Sequence, residues 1–251
     1  MKKRFFWLGL ISLLCFVDLA GQNGSAFGIK LGPTLGIQNW DSGRNSDVLF
    51  RYHALAYIET YAPDANYALF AQTGYHVRGG ALRLRGGTFQ GQGQNIFTIA
   101  NQSYPYEFNN ISLAIGAKQR FLTQTGAYYW MFGVRGEFTV SNNLEDYHPE
   151  DDPLELFNLI HPFPEAVRNI NYGIVAGGGL DFMFSELVGG VIELTVSPDF
   201  SNQYQSIAFE YFDINLGNTR RISERNIKNV SIELSLGIRL LRIVEYIDNI
   251  Y

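Results

Sequence analysis

From Val230 to Leu240 apolar and polar side chains alternate without a break. Val230, Ile232, Leu234, Leu236, Ile238 and Leu240 fall on one face, and Ser231, Glu233, Ser235, Gly237 and Arg239 on the other. Successive side chains of a β-strand point to opposite faces, so a period of two predicts a strand with one wholly apolar side. The pattern recurs from Asn110, where Ile111, Leu113, Ile115, Ala117 and Phe121 oppose Ser112, Ala114, Gly116, Lys118 and Arg120, with Gln119 the exception on the apolar side. It recurs again in Tyr128, Trp130, Phe132, Val134, Phe138 and Val140 against Arg135, Glu137, Thr139 and Ser141. Near the start, Phe27, Ile29, Leu31, Leu35 and Ile37 oppose Gly28, Lys30, Gly32, Thr34 and Gln38. Four less regular stretches, Val48–Ala62, Tyr67–Arg78, Asn169–Ser185 and Gly190–Phe200, bring the expected strands to eight. Gly177-Gly178-Gly179 interrupts the third of these, and glycine inside a strand marks a bend or a close backbone approach.

The connections alternate as well. Pro63–Asn66, Thr123–Gly126 and Ser185–Gly189 have the composition or length of tight turns. Between them lie longer links, Asp41–Asp47, Gly79–Glu107, Ser141–Arg168 and Ser201–Arg225. Transmembrane barrels carry short turns at one end and long loops at the other, with an apolar outer face and a polar lumen. The expected fold is therefore all-β, an eight-stranded antiparallel up-and-down transmembrane β-barrel. A soluble lipocalin-like barrel or β-sandwich would turn its apolar face inward and would not sort its connections by length. An even number of strands puts both termini on the short-turn side, which in an outer membrane is the periplasm.

Met1-Lys2-Lys3-Arg4, the apolar run Phe5–Phe16 and the small residues Ala20 and Gly21 have the layout of a secretory signal peptide, expected over residues 1–22. That apolar run is shorter than the roughly 20 residues of a membrane-spanning helix. Cys15, the one cysteine, lies inside it, so the remaining chain has no thiol for a disulfide or a thiolate metal site. Loss of Lys2, Lys3, Arg4 and Asp18 leaves 16 basic and 23 acidic residues, a formal charge near −7. An acidic chain without a basic patch argues against a nucleic-acid partner. Residues 23–251 show no linker or shift in composition and read as one barrel domain with a tail over 241–251.

The signal-like start, the opening Gly28-Ile29-Lys30-Leu31-Gly32-Pro33-Thr34-Leu35-Gly36 and the closing Ser231-Ile232-Glu233-Leu234-Ser235-Leu236-Gly237-Ile238-Arg239-Leu240 resemble the PorT-like outer-membrane β-barrel family of Bacteroidota. The resemblance covers nearly the whole chain after residue 22, through strand patterns rather than catalytic signatures. It implies a small barrel of the OmpA and OmpX kind, and for one branch of the family a part in type IX protein secretion. It supplies no functional residues. The chain departs from the family in continuing from Leu241 to Tyr251 beyond the last strand, where members usually stop.

The inward faces collect Lys30, Arg51, Lys118, Arg120, Arg135 and Arg239 with Glu59, Glu137, Asp181, Glu193 and Glu233. Side chains just fill an eight-stranded barrel, so these charges are expected to pair and plug the lumen. The alternative is a narrow, charge-lined pore for ions or small solutes. A lipid-modifying enzyme is a third reading, but no Gly-x-Ser-x-Gly elbow and no His-Glu-x-x-His pair is present. His53 and His76 are expected in the lumen's hydrogen-bond network. Gly86–Gly93 lacks the lysine and helix of a phosphate loop and reads as a flexible loop. No catalytic residue, cofactor or metal is assigned; the acidic loop residues Glu145–Glu165 lack EF-hand spacing.

Outside the strands, Asp152, Pro153 and Glu155 make a helix-start signal. The apolar residues that follow, Phe157, Leu159 and Ile160 among them, belong to a short helix on the barrel rim or to a knob that contacts a protein partner. Leu240, Leu241, Val244, Ile247 and Ile250 recur at helical spacing in the tail. The expected partners are outer-membrane lipid and proteins that meet the extracellular loops or this tail.

Overall fold

The computed structural model describes residues 24–41, 46–62, 65–84, 87–90, 96–99, 101–147, 161–213 and 218–243. Eight long strands form one antiparallel sheet: β1 Gly24–Trp40, β2 Leu49–Tyr61, β3 Tyr67–Leu84, β4 Gln102–Thr123, β5 Gly126–Asn142, β6 Ile170–Met183, β7 Val188–Pro198 and β8 Arg225–Ile243. Each pairs with its neighbour in sequence, and β1 closes the ring on β8 with Gly24 opposite Ile243 and Trp40 opposite Ile227. The architecture is the eight-stranded antiparallel up-and-down β-barrel. Closure leaves no free edge along the wall.

The alternation assigns the two faces. Phe27, Ile29, Leu31, Leu35 and Ile37 of β1 are exposed on the outside, beside Leu234, Leu236, Ile238 and Leu240 of β8. Between them Lys30, Thr34, Gln38, Ser231, Glu233, Ser235 and Arg239 are buried inside. The apolar stripe from Phe27 to Ile37 spans ten residue steps. At about 3.3 Å per step and a tilt near 40°, it makes a belt about 25 Å tall, the height of a bilayer's hydrocarbon band. Aromatic rings pair along the outer face. Tyr52 and Tyr75 lie 6.3 Å apart towards the long loops, and Phe121 stacks on Tyr128 at 4.8 Å near the short turns.

The short turns are as expected: Thr123 pairs with Gly126 around Gln124-Thr125, and Ser185 N–H donates to Val188 O at 3.0 Å. The link expected over Gly79–Glu107 is different. β3 and β4 stay paired to Leu84 and Gln102, well past Asn109, where the outer face of β4 turns polar. The seven steps from Asn109 to Gln102 add about 23 Å of ladder beyond the belt. Gly79 permits this continuation. Its φ is +150°, and a Cβ there would meet Tyr106 O at 1.8 Å. Part of the expected flexible loop is also ordered, with Gly87–Gln90 pairing Ile96–Ile99 in a small ribbon. A second ribbon pairs Phe209–Asp213 with Asn218–Ile222, and Tyr204–Ser206 adds to the top of β8. Gly177-Gly178-Gly179 does not break β6, which stays paired to both neighbours through the triplet.

β8 continues to Ile243, and Leu241 is buried against the wall with its N–H donating to Leu187 O at 2.8 Å, so the tail begins after Ile243 rather than at Leu241. The signal segment, the helix-start signal with Phe157, Leu159 and Ile160, and the tail beyond Ile243 lie outside the described residues.

Candidate functional site

The lumen is where the sequence's chemistry collects, because inward positions of all eight strands converge there. Its lower layer, nearer the short turns, is built by Lys30 of β1, Glu59 of β2, Lys118 and Arg120 of β4, Asp181 of β6, Glu193 of β7 and Arg239 of β8. Lys30 Nζ lies 2.5 Å from Glu193 and donates to Gln72 at 2.9 Å. Lys118 lies 2.9 Å from Glu59 and 3.7 Å from Glu193, with its Nζ 4.2 Å from the centre of the Tyr129 ring. Tyr129 donates its hydroxyl to Glu193 at 2.7 Å. Arg239 holds Glu59 through Nη2 at 2.7 Å and Nε at 3.0 Å. Tyr57, Phe70 and Met131 fill the space between these groups. Gly179 makes room for Tyr129, since a Cβ there would sit 2.7 Å from the tyrosine hydroxyl oxygen.

The upper layer centres on Arg78 of β3. Its guanidinium lies 3.1 Å from Glu137, 3.2 Å from Glu233 and 3.6 Å from Asp199. Arg135 pairs with Glu137 at 3.2 Å and donates to Asp199. His76 donates through Nδ1 to Glu233 at 2.8 Å, and its ring stacks on His53 at 5.7 Å. Together the two layers hold six cations and six carboxylates, all buried. Buried ions cost several kcal/mol each unless paired, and this equality of charge is what pairing requires.

Above the charges sits an apolar cap of Trp40, Leu82, Tyr106, Phe108, Leu144, Tyr204 and Ile227. It is tied to the loops by Tyr106–His161 at 2.7 Å, by the Phe163 N–H donating to Tyr204 at 3.1 Å, and by Tyr147 donating to Pro105 O at 2.8 Å. Among the described residues, paired charge and this cap fill the lumen beneath the long loops.

Ten of the eleven charges expected in the lumen meet in these two layers. Arg51 does not. Asp47 pairs with Ala81 and His53 with His76, six steps on one strand against five on the other. The extra residue is a bulge, which bends its strand and re-aims side chains. The half-buried Arg51 side chain is turned to Glu107, on the outward parity of β4, and to Phe50 O. Arg78 and Asp199, both central, were not among the expected charges. Both continue an inward register already marked, Arg78 two residues after His76 and Asp199 six after Glu193.

A serine–histidine pair does occur. His53 Nε2 lies 2.8 Å from Ser235 Oγ, and Nδ1 lies 2.9 Å from Thr34 Oγ1. It is sealed in the lumen, with His53 and Ser235 each 1% exposed, and is not at the lipid-facing rim where an acyl substrate would arrive.

No family model matches the chain, and no curated protein matches it in sequence. Among solved structures it is similar to the outer membrane protease OmpT from Escherichia coli, at 10% identity and a TM-score of 0.44, covering 88% of this chain and 98% of that one. It is similar to a major outer membrane protein from Thermus thermophilus, at 13% identity and a TM-score of 0.44 over 87% and 99% of the two chains. A third is Ail, the attachment invasion locus protein of Yersinia pestis, at 9% identity and a TM-score of 0.40 over 87% and 100%.

Proposed function

We propose that this protein is an integral outer-membrane barrel, non-enzymatic and closed to solutes, that serves as a binding or assembly component through the structures it holds above and below the membrane. The observation that carries this reading is the lumen: two layers of paired charge under an aromatic cap leave the loops and the ends of the barrel as the surfaces open to a partner. The exterior belt supports the membrane setting, since so wide an exposed apolar surface needs lipid to cover it. In this reading the short turns and both ends of the chain face the periplasm, residues 1–22 are a signal peptide, and the long loops face outward. Membership of the PorT-like family, with a link to protein export, rests on the strand motifs around Gly28–Gly36 and Ser231–Leu240.

Two measurements test it. Purified protein in planar bilayers should give no steady conductance; a large, lasting open channel would overturn the closed barrel. Mild crosslinking in cells followed by purification should recover a specific protein partner, and recovery of the barrel alone would count against an assembly role.

A further inference from the structure

The lower mouth of the lumen differs from the sealed upper end. It holds a cavity of about 470 Å³ between the Thr123–Gly126 turn and the side chains of Tyr61, Arg120, Asp181 and Arg239. The two guanidiniums lie near the Tyr61 ring, with centres 5.6 and 5.3 Å from its centroid. Their carboxylate supply is thin. Glu59 is already bound by Lys118 and by Arg239 Nη2 and Nε. That leaves Asp181, whose Oδ2 is 3.5 Å from Arg120 and 3.8 Å from Arg239, both long for ion pairs that also hydrogen-bond. Among the described residues Arg120 Nε has no hydrogen-bond partner, although the residue is 4% exposed. The whole lower layer carries four cations against three carboxylates, so the excess positive charge lies in the layer that faces the cavity.

We propose that this mouth binds a phosphate-sized oxyanion, held between Arg120 and Arg239 at the short-turn end of the barrel. Planar guanidiniums present paired N–H donors that match the spacing of phosphate or carboxylate oxygens. Both guanidinium centres lie beside the Tyr61 ring, the Nη1 of Arg239 is left outside its contacts with Glu59, and Thr123 and Thr125 line the cavity. The oxyanion can come from free phosphate or from the headgroup of a phospholipid at the adjacent membrane surface; both offer the same oxygens.

The test uses the full chain in neutral detergent, titrated by calorimetry with inorganic phosphate in one arm and short-chain phosphatidylglycerol in the other. Saturable binding of phosphate identifies the free ion, and binding of the lipid alone identifies the headgroup. In the arm that binds, Arg120→Gln should weaken affinity by roughly tenfold, the effect of losing a charge-assisted hydrogen bond. Asp181→Asn removes the competing carboxylate and should tighten it, a gain that a damaged barrel does not produce. If Arg120→Gln fails to assemble, judged by heat-modified gel mobility, Asp181→Asn decides alone. Absence of saturable binding in both arms, an Arg120→Gln protein that binds like the parent, or unchanged affinity in Asp181→Asn would each overturn the proposal.

Discussion

Arg78 Nε and Glu137 Oε1 stand 3.1 Å apart, on strands separated by β4, with neither side chain reached by solvent. Arg78 also serves Glu233 and Asp199, so its removal strands negative charge in the middle of the barrel. Arg78→Met should lower stability by about 3–5 kcal/mol, the cost of breaking a buried pair from one side. Glu137→Gln should cost less, because Arg78 keeps two other carboxylates. Urea unfolding in phospholipid vesicles, followed by tryptophan fluorescence, measures both.

Gly179 and Gly136 make a paired test of packing. A Cβ on Gly179 would press on Tyr129 and on Ile192 O at 2.4 Å, whereas one on Gly136 meets nothing within 4 Å. Gly179→Ala should cost about 1–3 kcal/mol by overpacking, and Gly136→Ala should leave the unfolding midpoint in place. Equal midpoints for the two variants would mean that Tyr129 has freedom its hydrogen bond to Glu193 does not suggest.

The belt predicts a dependence on height. Leu236 lies opposite Leu31 near the middle of the apolar stripe, while Asn39 lies beyond its end. Leu236→Arg should cost about 2–4 kcal/mol in vesicles and Asn39→Arg about 0–1. The same unfolding assay in two bilayer thicknesses would locate the margin.

In the closed barrel proposed above, closure is redundant, because the cap and the charge layers are separate. Tyr106→Ala removes a ring that packs on Trp40 at 5.9 Å and bonds His161. It should hasten proteolysis of the segment around Phe163 yet produce no conductance in planar bilayers. A steady current from this variant would show that the cap alone holds the passage shut.

Four strands were legible in the sequence because one of their faces meets lipid and tolerates few polar residues. β2 and β3 were harder, since Leu55, Tyr57 and Phe70 point inward and the polarity contrast between faces fades there. Arg51 keeps the inward parity between Leu49 and His53, but its side chain reaches Glu107 on the outward parity of β4, a partner that the local pattern of β2 does not contain. Arg78 was missed because Gly79-Gly80 reads as the start of a loop. In the structure Gly79 instead lets the strand pass close to Tyr106 and carry on. The charged layers followed from parity alone, but the choice of partners within them depends on which strands curve towards each other.

The seam between β1 and β8 joins the beginning of the described chain to its end, Gly24 to Ile243. Contacts so distant in sequence form late, after the entropy of closing a long loop has been overcome. Strand β1 cannot make both of its pairings before β8 is present, so any partly formed wall is an open sheet with two unpaired edges. This one seam therefore decides when the wall loses its last exposed edges.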